Sequence, residues 1–404
     1  MTLVSPISAS VSVSISSSSI AKTCFKVSAP LARQKFQLPL LPSASSGQIS
    51  PPPPSNRRIL HLGANNSVLP LRHFILLSAA AALAFLTRRQ GAKQYRVRQF
   101  MASATREAVK SKAKRIDSHL HVWASPEEAK MFPYAPGQGP TLPGNAAYLV
   151  ENMSEAGVDG ALITQPIDHK FDHKYVSSVL QEYPGKFVGC CLADPTDGGG
   201  GVRELERLIK KEGYRAVRFN PYLWPPGQQM TNEVGKAMFS KAGELGAVVG
   251  FMCFKGLLLH IKDIEELCLE FPSTVVMIDH FGFCKPATNN EEAKAWEQLL
   301  GLARFPQVYV KVSAFFRISR EPFPYKDTWP LVQELLTGFG AKRLLWGSDF
   351  PFVAAECGYH KANQDLPQLI GETLSVSQSD MDYLLGGTAC QLFEGAWQES
   401  LLVP

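Results

Sequence analysis

The sequence predicts an α/β chain: one (β/α)8 TIM barrel preceded by a disordered N-terminal targeting tail. From residue 115 onward, eight short runs rich in Val, Ile and Leu alternate with amphipathic stretches, which is typical of parallel strands joined by crossover helices. The roughly 290 residues of this region suit a single barrel with additions. No GxGxxG follows the first run and no P-loop occurs, so the pattern disfavours an open nucleotide-binding sheet.

The first hundred residues differ sharply in composition from the rest. Residues 1–115 hold 17 Lys and Arg against one acid, Glu107, a net charge of +16; since the whole chain carries +5, the remainder carries −11. A Ser-rich start without acids, followed by four prolines at 51–54, is typical of an organellar transit peptide. We expect import into the chloroplast stroma. The basic charge belongs to this tail and does not indicate a nucleic-acid partner.

Two features of the tail leave alternatives open. The apolar run at 74–86 has 13 residues, whereas a membrane helix needs about 20. We therefore expect no membrane span, with a second targeting signal or a short anchor as alternatives. Met101 offers a later translation start, and the protein made from it would lack the targeting tail and stay in the cytosol. The predicted domains are the tail at 1–100 and the barrel at 115–400.

The barrel elements follow in strict alternation. The predicted strands are 116–122, 158–164, 186–193, 214–220, 247–252, 274–280, 307–313 and 343–349. The predicted helices are 145–156, 172–182, 201–212, 232–245, 257–270, 290–304 and 327–338, with a last helical stretch at roughly 361–396.

Polar residues gather where several predicted strands end. In a TIM barrel the chemistry lies at the C-terminal ends of the strands, and residues i and i+2 of a strand share a face. Strand 1 carries His119 and His121 on one face, strand 6 ends with His280, and strand 8 ends with Asp349. Alone, His280 and Asp349 are equally well explained as structural residues, and the HxH pair by itself is better explained so. Their coincidence at one end predicts a catalytic site.

Further polar residues at the same end predict how a substrate is bound. The candidates are Arg218, Asn220, Lys311, Ser313, Arg317 and Trp123. Cations gathered on an otherwise acidic domain predict a small anionic substrate, since a guanidinium matches a carboxylate. By contrast, we expect His169 and His173 to lie at a solvated helix start. The sequence gives no indication of the oligomeric state.

The motifs IDSHLHVW, YRAVRFNP, VVMIDHFG, VYVKVSAFFRIS and RLLWGSDFP, in this order, resemble the amidohydrolase-related branch of the amidohydrolase superfamily. The resemblance covers about residues 115–400, and it is closer to the lactonases of that branch than to its decarboxylases. It implies a hydrolase acting on an ester, lactone or amide bond of a small anionic metabolite. Asp349 would activate water, and His119, His121 and His280 would polarise the carbonyl. The tail marks the chain as a plastid-targeted plant member.

The resemblance also implies His119, His121 and Asp349 as ligands of one divalent ion, zinc or manganese. Metal-dependent members usually carry another His at the end of strand 5, where this chain has Phe-Met-Cys at 251–253. A thioether is a poor ligand for a hard ion, and Cys253 would have to be a thiolate. One ion or none remains open, and the missing ligand favours none. The alternatives are a metal-dependent decarboxylase, or a catalytically retired barrel that binds a ligand or scaffolds a complex.

Overall fold

The computed structural model describes residues 113–196 and 198–397. Eight parallel strands form one sheet in which sequence neighbours are spatial neighbours. The strands are β1 Ile116–Leu120, β2 Gly160–Thr164, β3 Phe187–Leu192, β4 Tyr214–Phe219, β5 Val248–Phe251, β6 Val276–Ile278, β7 Val308–Ser313 and β8 Leu344–Gly347. A parallel bridge between Leu120 and Phe350 brings the two edges together. The predicted (β/α)8 fold is confirmed.

Helices follow the strands in the predicted order. They are α1 Ala146–Glu155, α2 Lys174–Glu182, α3 Gly201–Glu212, α4 Glu233–Glu244, α5 Ile261–Glu270, α6 Asn290–Gly301, α7 Phe315–Ile318, α8 Trp329–Gly338, α9 Phe352–Glu356, α10 Leu366–Thr373, α11 Gln378–Asp382 and α12 Thr388–Leu392. The α3 helix shows how such an element forms: Leu205 and Leu208 are buried on one face, and Gly213 ends the helix in the left-handed conformation, which glycine adopts without steric cost.

The barrel interior is layered along its axis. Its apolar layer takes at least one side chain from seven of the strands and is packed by the C-terminal segment. That layer comprises Ile116, Leu162, Val188, Cys190, Ala216, Val248, Met277 and Leu345, with Ala389, Phe393 and Trp397 from the C-terminal segment. Arg218 and Asp279 stand two residues beyond Ala216 and Met277, and Lys311 of β7 pairs with Asp279; all three are buried. The polar layer therefore begins directly above an apolar floor.

Three predicted strands end two residues earlier than expected, and one of them is β1, which ends at Leu120. β6 ends at Ile278 and β8 at Gly347, because the backbone then turns into the left-handed region, with φ of 49° at His280 and 65° at Asp349. Both residues thus lie in loops immediately beyond their strands. Left-handed conformations of non-glycine residues cost energy and persist where the surroundings impose them, often at active sites.

The C-terminal region is helical as predicted, but it consists of several short helices. The last helical stretch is divided into α10, α11 and α12, with π-helical turns at Lys361–Asp365 and Tyr383–Gly387.

The expected transit peptide, the apolar segment 74–86 and the alternative start at Met101 lie outside the described residues. Within 113–196 and 198–397, no helix is long and apolar enough to cross a membrane.

Candidate active site

Strand β1 and the loop after β8 form one hydrogen-bonded unit. Oδ1 of the buried Asp117 accepts from the backbone N–H of Ser348 at 2.9 Å and from that of His119 at 3.2 Å. The N–H of Asp349 donates to the carbonyl of His119 at 2.8 Å. Asp117 therefore fixes the backbone of the His119 segment relative to the Asp349 loop.

Three imidazoles converge on one carboxylate oxygen. The Nε2 atoms of His119, His121 and His280 lie 3.9, 3.6 and 3.8 Å from Oδ1 of Asp349. All four side chains are buried. The structure thus brings together the four predicted catalytic residues, which come from three separate segments of the chain.

Two of the imidazoles are oriented by a hydrogen bond at Nδ1. In His121, Nδ1 lies 2.8 Å from the carbonyl oxygen of Thr164, so this nitrogen carries the proton and Nε2 carries a lone pair. In His280, Nδ1 lies 2.8 Å from the Ser313 hydroxyl, which can donate or accept. Ser313, a predicted substrate-binding residue, therefore lies behind His280 and positions its ring.

The third imidazole faces a buried ion network. Oδ1 of Asp279 lies 3.2 Å from Nδ1 of His119 and 3.0 Å from Nζ of Lys311, while Oδ2 accepts from Nε of Arg218 at 2.9 Å. Burial alone would raise the pKa of Asp279, but Lys311, His119 and Arg218 outweigh burial and hold it well below its usual range. Nζ of Lys311 also lies 3.1 Å from Nδ1 of His119. Asp279 and Lys311 thus fix the His119 ring from behind, in the position where outer groups commonly orient metal-binding histidines.

In this network Lys311 is not free to bind a substrate, although that role was predicted from the sequence, and Asp279 is a site residue that was not predicted. The Lys311 side chain is 1% exposed and does not line the cavity, because its ammonium group is paired with Asp279. Asp279 precedes the more conspicuous His280 in the sequence. Its i+2 relation to Met277 on β6 could have revealed it as a charge in the barrel interior.

The environment of Asp349 suits a general base. Burial raises the pKa of this carboxyl to about 6, although Arg317 and Arg218 lower it. Nε of Arg317 donates to Oδ2 at 2.5 Å, and Oδ1 has no hydrogen-bond partner among the described residues. A pKa near 6 leaves the group ionised at neutral pH but more basic than an ordinary carboxylate.

The three imidazoles are neutral. Burial, with Lys311 second, lowers the pKa of His119 to about 3. Burial, with His119 second, places the pKa values of His121 and His280 well below the usual value. Their nitrogens are therefore available as ligands, or as neutral hydrogen-bonding groups.

A cavity of about 220 Å³ opens above these groups. Four predicted substrate-binding residues line it: Trp123, Arg218, Asn220 and Arg317. Of the predicted catalytic residues, His121, His280 and Asp349 line it. The remaining lining residues are Gln165, Pro166, Ile167, Asp168, Leu192, Met252, Phe254, Phe283 and Phe352. An apolar wall with a few polar groups is typical of a small-molecule site.

The donor set fits a single divalent ion. The ligand atoms of His119, His280 and Asp349 all lie within 4.8 Å of one another, and Nε2 of His121 is also near Oδ1 of Asp349. Nε2 of His119 and Oδ1 of Asp349 are buried without a hydrogen-bond partner in the described part of the chain. Imidazole nitrogens with a carboxylate oxygen suit zinc.

The strand-5 position adds no ligand. Met252 lines the cavity, and Cys253 is fully buried, which raises the pKa of its thiol far above the usual value. Cys253 does not line the cavity, and a thioether such as that of Met252 is a poor ligand for a hard ion. The donors therefore come from β1 and from the loops that follow β1, β6 and β8.

His169 and His173 do not lie in solvent, contrary to the sequence analysis. Their exposed fractions are 3% and 4%. Nε2 of His169 accepts from the N–H of Ala124 at 3.2 Å, and Nε2 of His173 accepts from the N–H of Leu192 at 3.1 Å. Within the segment DHKFDHK these two imidazoles are buried because they pair with backbone groups that burial would otherwise leave unsatisfied.

Comparisons with known proteins find related sequences. The sequence model of the Amidohydrolase family matches residues 116–395. The 4-sulfomuconolactone hydrolase of Hydrogenophaga intermedia is 26% identical over 242 residues, which span 58% of this chain and 74% of the relative. The L-fucono-1,5-lactonase of Burkholderia ambifaria is 26% identical over 255 residues, which span 59% of this chain and 80% of the relative.

Solved structures share the fold. A crystal structure of a putative 2-pyrone-4,6-dicarboxylic acid hydrolase from Pseudomonas putida is 24% identical and superposes with a TM-score of 0.58. The superposition covers 72% of this chain and 100% of that chain.

Proposed function

Because the chain belongs to the Amidohydrolase family and is an enzyme, we propose that it hydrolyses a lactone in a small anionic metabolite. The observation that carries this proposal is the convergence of three neutral imidazoles on Oδ1 of Asp349 at one side of a mostly apolar cavity. The names of the two curated relatives support a lactone rather than an amide.

Asp349 takes the proton from the attacking water. Its carboxylate is held through Oδ2 by Arg317, which leaves Oδ1 as the acceptor. Since the pKa lies near 6, the group is ionised at pH 7, yet it retains a proton better than an exposed carboxylate. General bases contribute about 10²- to 10⁴-fold in rate.

The imidazoles have different roles at the substrate carbonyl. Nε2 of His121 carries a lone pair because Nδ1 donates to Thr164, so His121 orients water or binds an ion. His280 can present an N–H from Nε2 when the Ser313 hydroxyl donates to Nδ1. A zinc or manganese ion held by His119, His280, Asp349 and His121 would supply Lewis-acid polarisation of the carbonyl.

Arg218 holds the anionic group of the substrate. Its Nε donates to Asp279, which leaves its two terminal nitrogens without a hydrogen bond to any described residue while the side chain lines the cavity. Arg317 is already paired with Asp349 and stacks 4.6 Å above the ring centroid of Phe352. Arg218 is therefore the better anchor for a carboxylate or sulfonate.

Product analysis tests the proposal. The full-length protein is incubated with sugar lactones, muconolactones and pyrone carboxylates, with and without added zinc or manganese, and the products are analysed by mass spectrometry. We expect the addition of one water to at least one lactone class. Loss of carbon dioxide from an aromatic carboxylate, with every lactone unchanged, would instead establish the decarboxylase.

We further propose that the chain acts in the chloroplast stroma, which the composition of residues 1–100 supports. Two fluorescent fusions test this, one beginning at Met1 and one at Met101. The first should enter chloroplasts and the second should remain in the cytosol. Cytosolic fluorescence from both fusions would contradict the proposal.

A further inference from the structure

One side chain in the cavity has a fixed orientation that the catalytic steps do not use. Gln165 follows β2 directly, is fully buried and lines the cavity. Its Nε2 donates to the carbonyl oxygens of Lys170 at 3.0 Å and Asp172 at 2.9 Å. Only the nitrogen end of an amide can serve two carbonyl acceptors. The orientation of the group is therefore determined.

The other end of this amide is unpartnered. Oε1 of Gln165 is buried and has no hydrogen-bond partner among the described residues. Such an acceptor is costly to leave unpaired and is explained by a partner that arrives with a ligand. A carbonyl oxygen can only accept, so the partner must donate.

The same loop supplies a second acceptor to the cavity. Asp168, three residues on, lines the same cavity and is partly buried. The loop after β2 thus presents acceptors, whereas the guanidinium groups of Arg218 and Arg317 come from β4 and from α7, which follows β7. A carboxylate of the substrate is attracted to the guanidinium groups and repelled by Asp168. The substrate therefore binds with its carboxylate toward the arginines and its other end toward the loop after β2.

We propose that Gln165 determines specificity by accepting a hydrogen bond from a hydroxyl group of the substrate. The substrate class is then a hydroxylated sugar-acid lactone with a carboxylate, rather than a deoxy or unsaturated lactone acid. This inference rests on the proposed function, which it deepens. Sites that hydrogen-bond a substrate hydroxyl strongly reject analogues lacking it.

A pair of lactone acids tests the proposal. Glucaro-1,4-lactone carries hydroxyl groups and a carboxylate, and 5-oxotetrahydrofuran-2-carboxylate carries the carboxylate alone. We expect the wild type to favour the first by about tenfold or more in kcat/KM. Gln165→Met removes the acceptor at similar length. It should lower kcat/KM for the hydroxylated lactone about 10- to 100-fold and that for the deoxy lactone less than about threefold.

The ratio between the two substrates separates specificity from damage to the fold, since misfolding lowers both rates equally. Gln378→Met, at an exposed helix position outside the cavity, is the matched control and should leave the ratio unchanged. Equal rates of the wild type on both lactones, or an equal loss on both in Gln165→Met, would overturn the proposal while hydrolysis itself stands. If Gln165→Met does not fold, the wild-type preference alone decides.

Binding of ring-opened acids keeps the inference separate from catalysis. Glucarate and adipate are six-carbon dicarboxylates with and without hydroxyl groups, and calorimetry measures both on the wild type and on Gln165→Met. Tighter binding of glucarate to the wild type, lost in the variant, supports the role of Gln165 even if no lactone is hydrolysed. Equal binding of the two acids to the wild type would refute it.

Discussion

Two groups of histidines in this barrel share burial and low basicity but differ in what their Nε2 atoms contact. His119, His121 and His280 lie around Asp349, whereas His169 and His173 lie between β2 and α2 and at its start. Burial lowers the pKa in both groups, to about 3 for His119 and about 4 for His173. Low pKa therefore does not distinguish a functional imidazole from a structural one.

The hydrogen bonds do distinguish them. Nε2 of His169 and of His173 each accepts a backbone N–H, so these rings support the loops that carry them. Around Asp349, the three Nε2 atoms have no such partner within the described residues and face one carboxylate oxygen. Nδ1 of His173 is also buried without a partner among the described residues. It is therefore the convergence of three Nε2 atoms on one carboxylate oxygen, and not a single unpaired nitrogen, that is explained by an ion, a water or a substrate.

The carboxylate at the centre of the first group should show the largest effect. Asp349→Asn keeps the shape of the side chain but removes the proton acceptor, so kcat should fall about 10³-fold or more. The melting temperature should change little, because the buried group becomes neutral. An active Asp349→Asn protein would show that another group activates the water.

A matched pair of substitutions tests the distinction itself. His121→Gln should lower kcat/KM about 100-fold, because it removes an imidazole nitrogen that faces the reacting groups. His173→Gln should keep kcat/KM within about threefold of wild type at low temperature, while it lowers stability by about 1–3 kcal/mol. Steady-state kinetics and thermal melts measure both. If both variants lose activity and stability alike, an Nε2 atom without a backbone partner does not mark function.

Metal binding tests the same nitrogens without an activity assay. We expect chelator-stripped protein to take up one equivalent of zinc or manganese per chain and to melt at a higher temperature, since an ion that binds only the folded state stabilises it. His119→Gln should abolish the shift, and His173→Gln should retain it. Calorimetry and elemental analysis give the stoichiometry. No binding would leave Asp349 and the imidazoles to act without an ion.

The fold and the converging residues could be predicted from the sequence for a physical reason. Strand and helix periodicity is local, and His119, His121, His280 and Asp349 stand at strand ends, where the barrel topology brings them together. The missing strand-5 histidine favoured a site without a metal ion, whereas the structure offers a donor set for one divalent ion. The strand-5 ligand is absent, yet the left-handed turn after β6 directs His280 toward Asp349.

Pairing across the barrel could not be predicted in this way. Lys311 looked available to a substrate because its partner Asp279 lies 32 residues earlier in the sequence and across a strand pair. Gln165 gave no signal, because the two backbone carbonyls that orient it belong to an irregular loop. Such contacts depend on tertiary packing, which the alternation of polar and apolar residues does not encode.

The smallest expected effect is the pH dependence that His173 gives to stability. Burial lowers its folded-state pKa to about 4, whereas an unfolded histidine titrates near 6.5. Between these values the unfolded chain binds more protons than the folded chain, so the free energy of unfolding falls as the pH falls. From pH 7 to pH 5, His173 should account for a loss of about 2 kcal/mol.

His173→Gln isolates this contribution. The glutamine oxygen can accept the Leu192 N–H in place of Nε2 but does not titrate, while every other titrating group is common to the two proteins. Urea unfolding at pH 7 and pH 5 should therefore show a decrease in stability that is about 2 kcal/mol smaller in the variant than in the wild type. At pH 7 the variant is the less stable protein, and the gap should narrow at pH 5. Parallel pH profiles would mean that His173 becomes protonated in the folded state near pH 6.5. Burial would then not lower its pKa, and His173 would no longer be a structural counterpart of the histidines around Asp349.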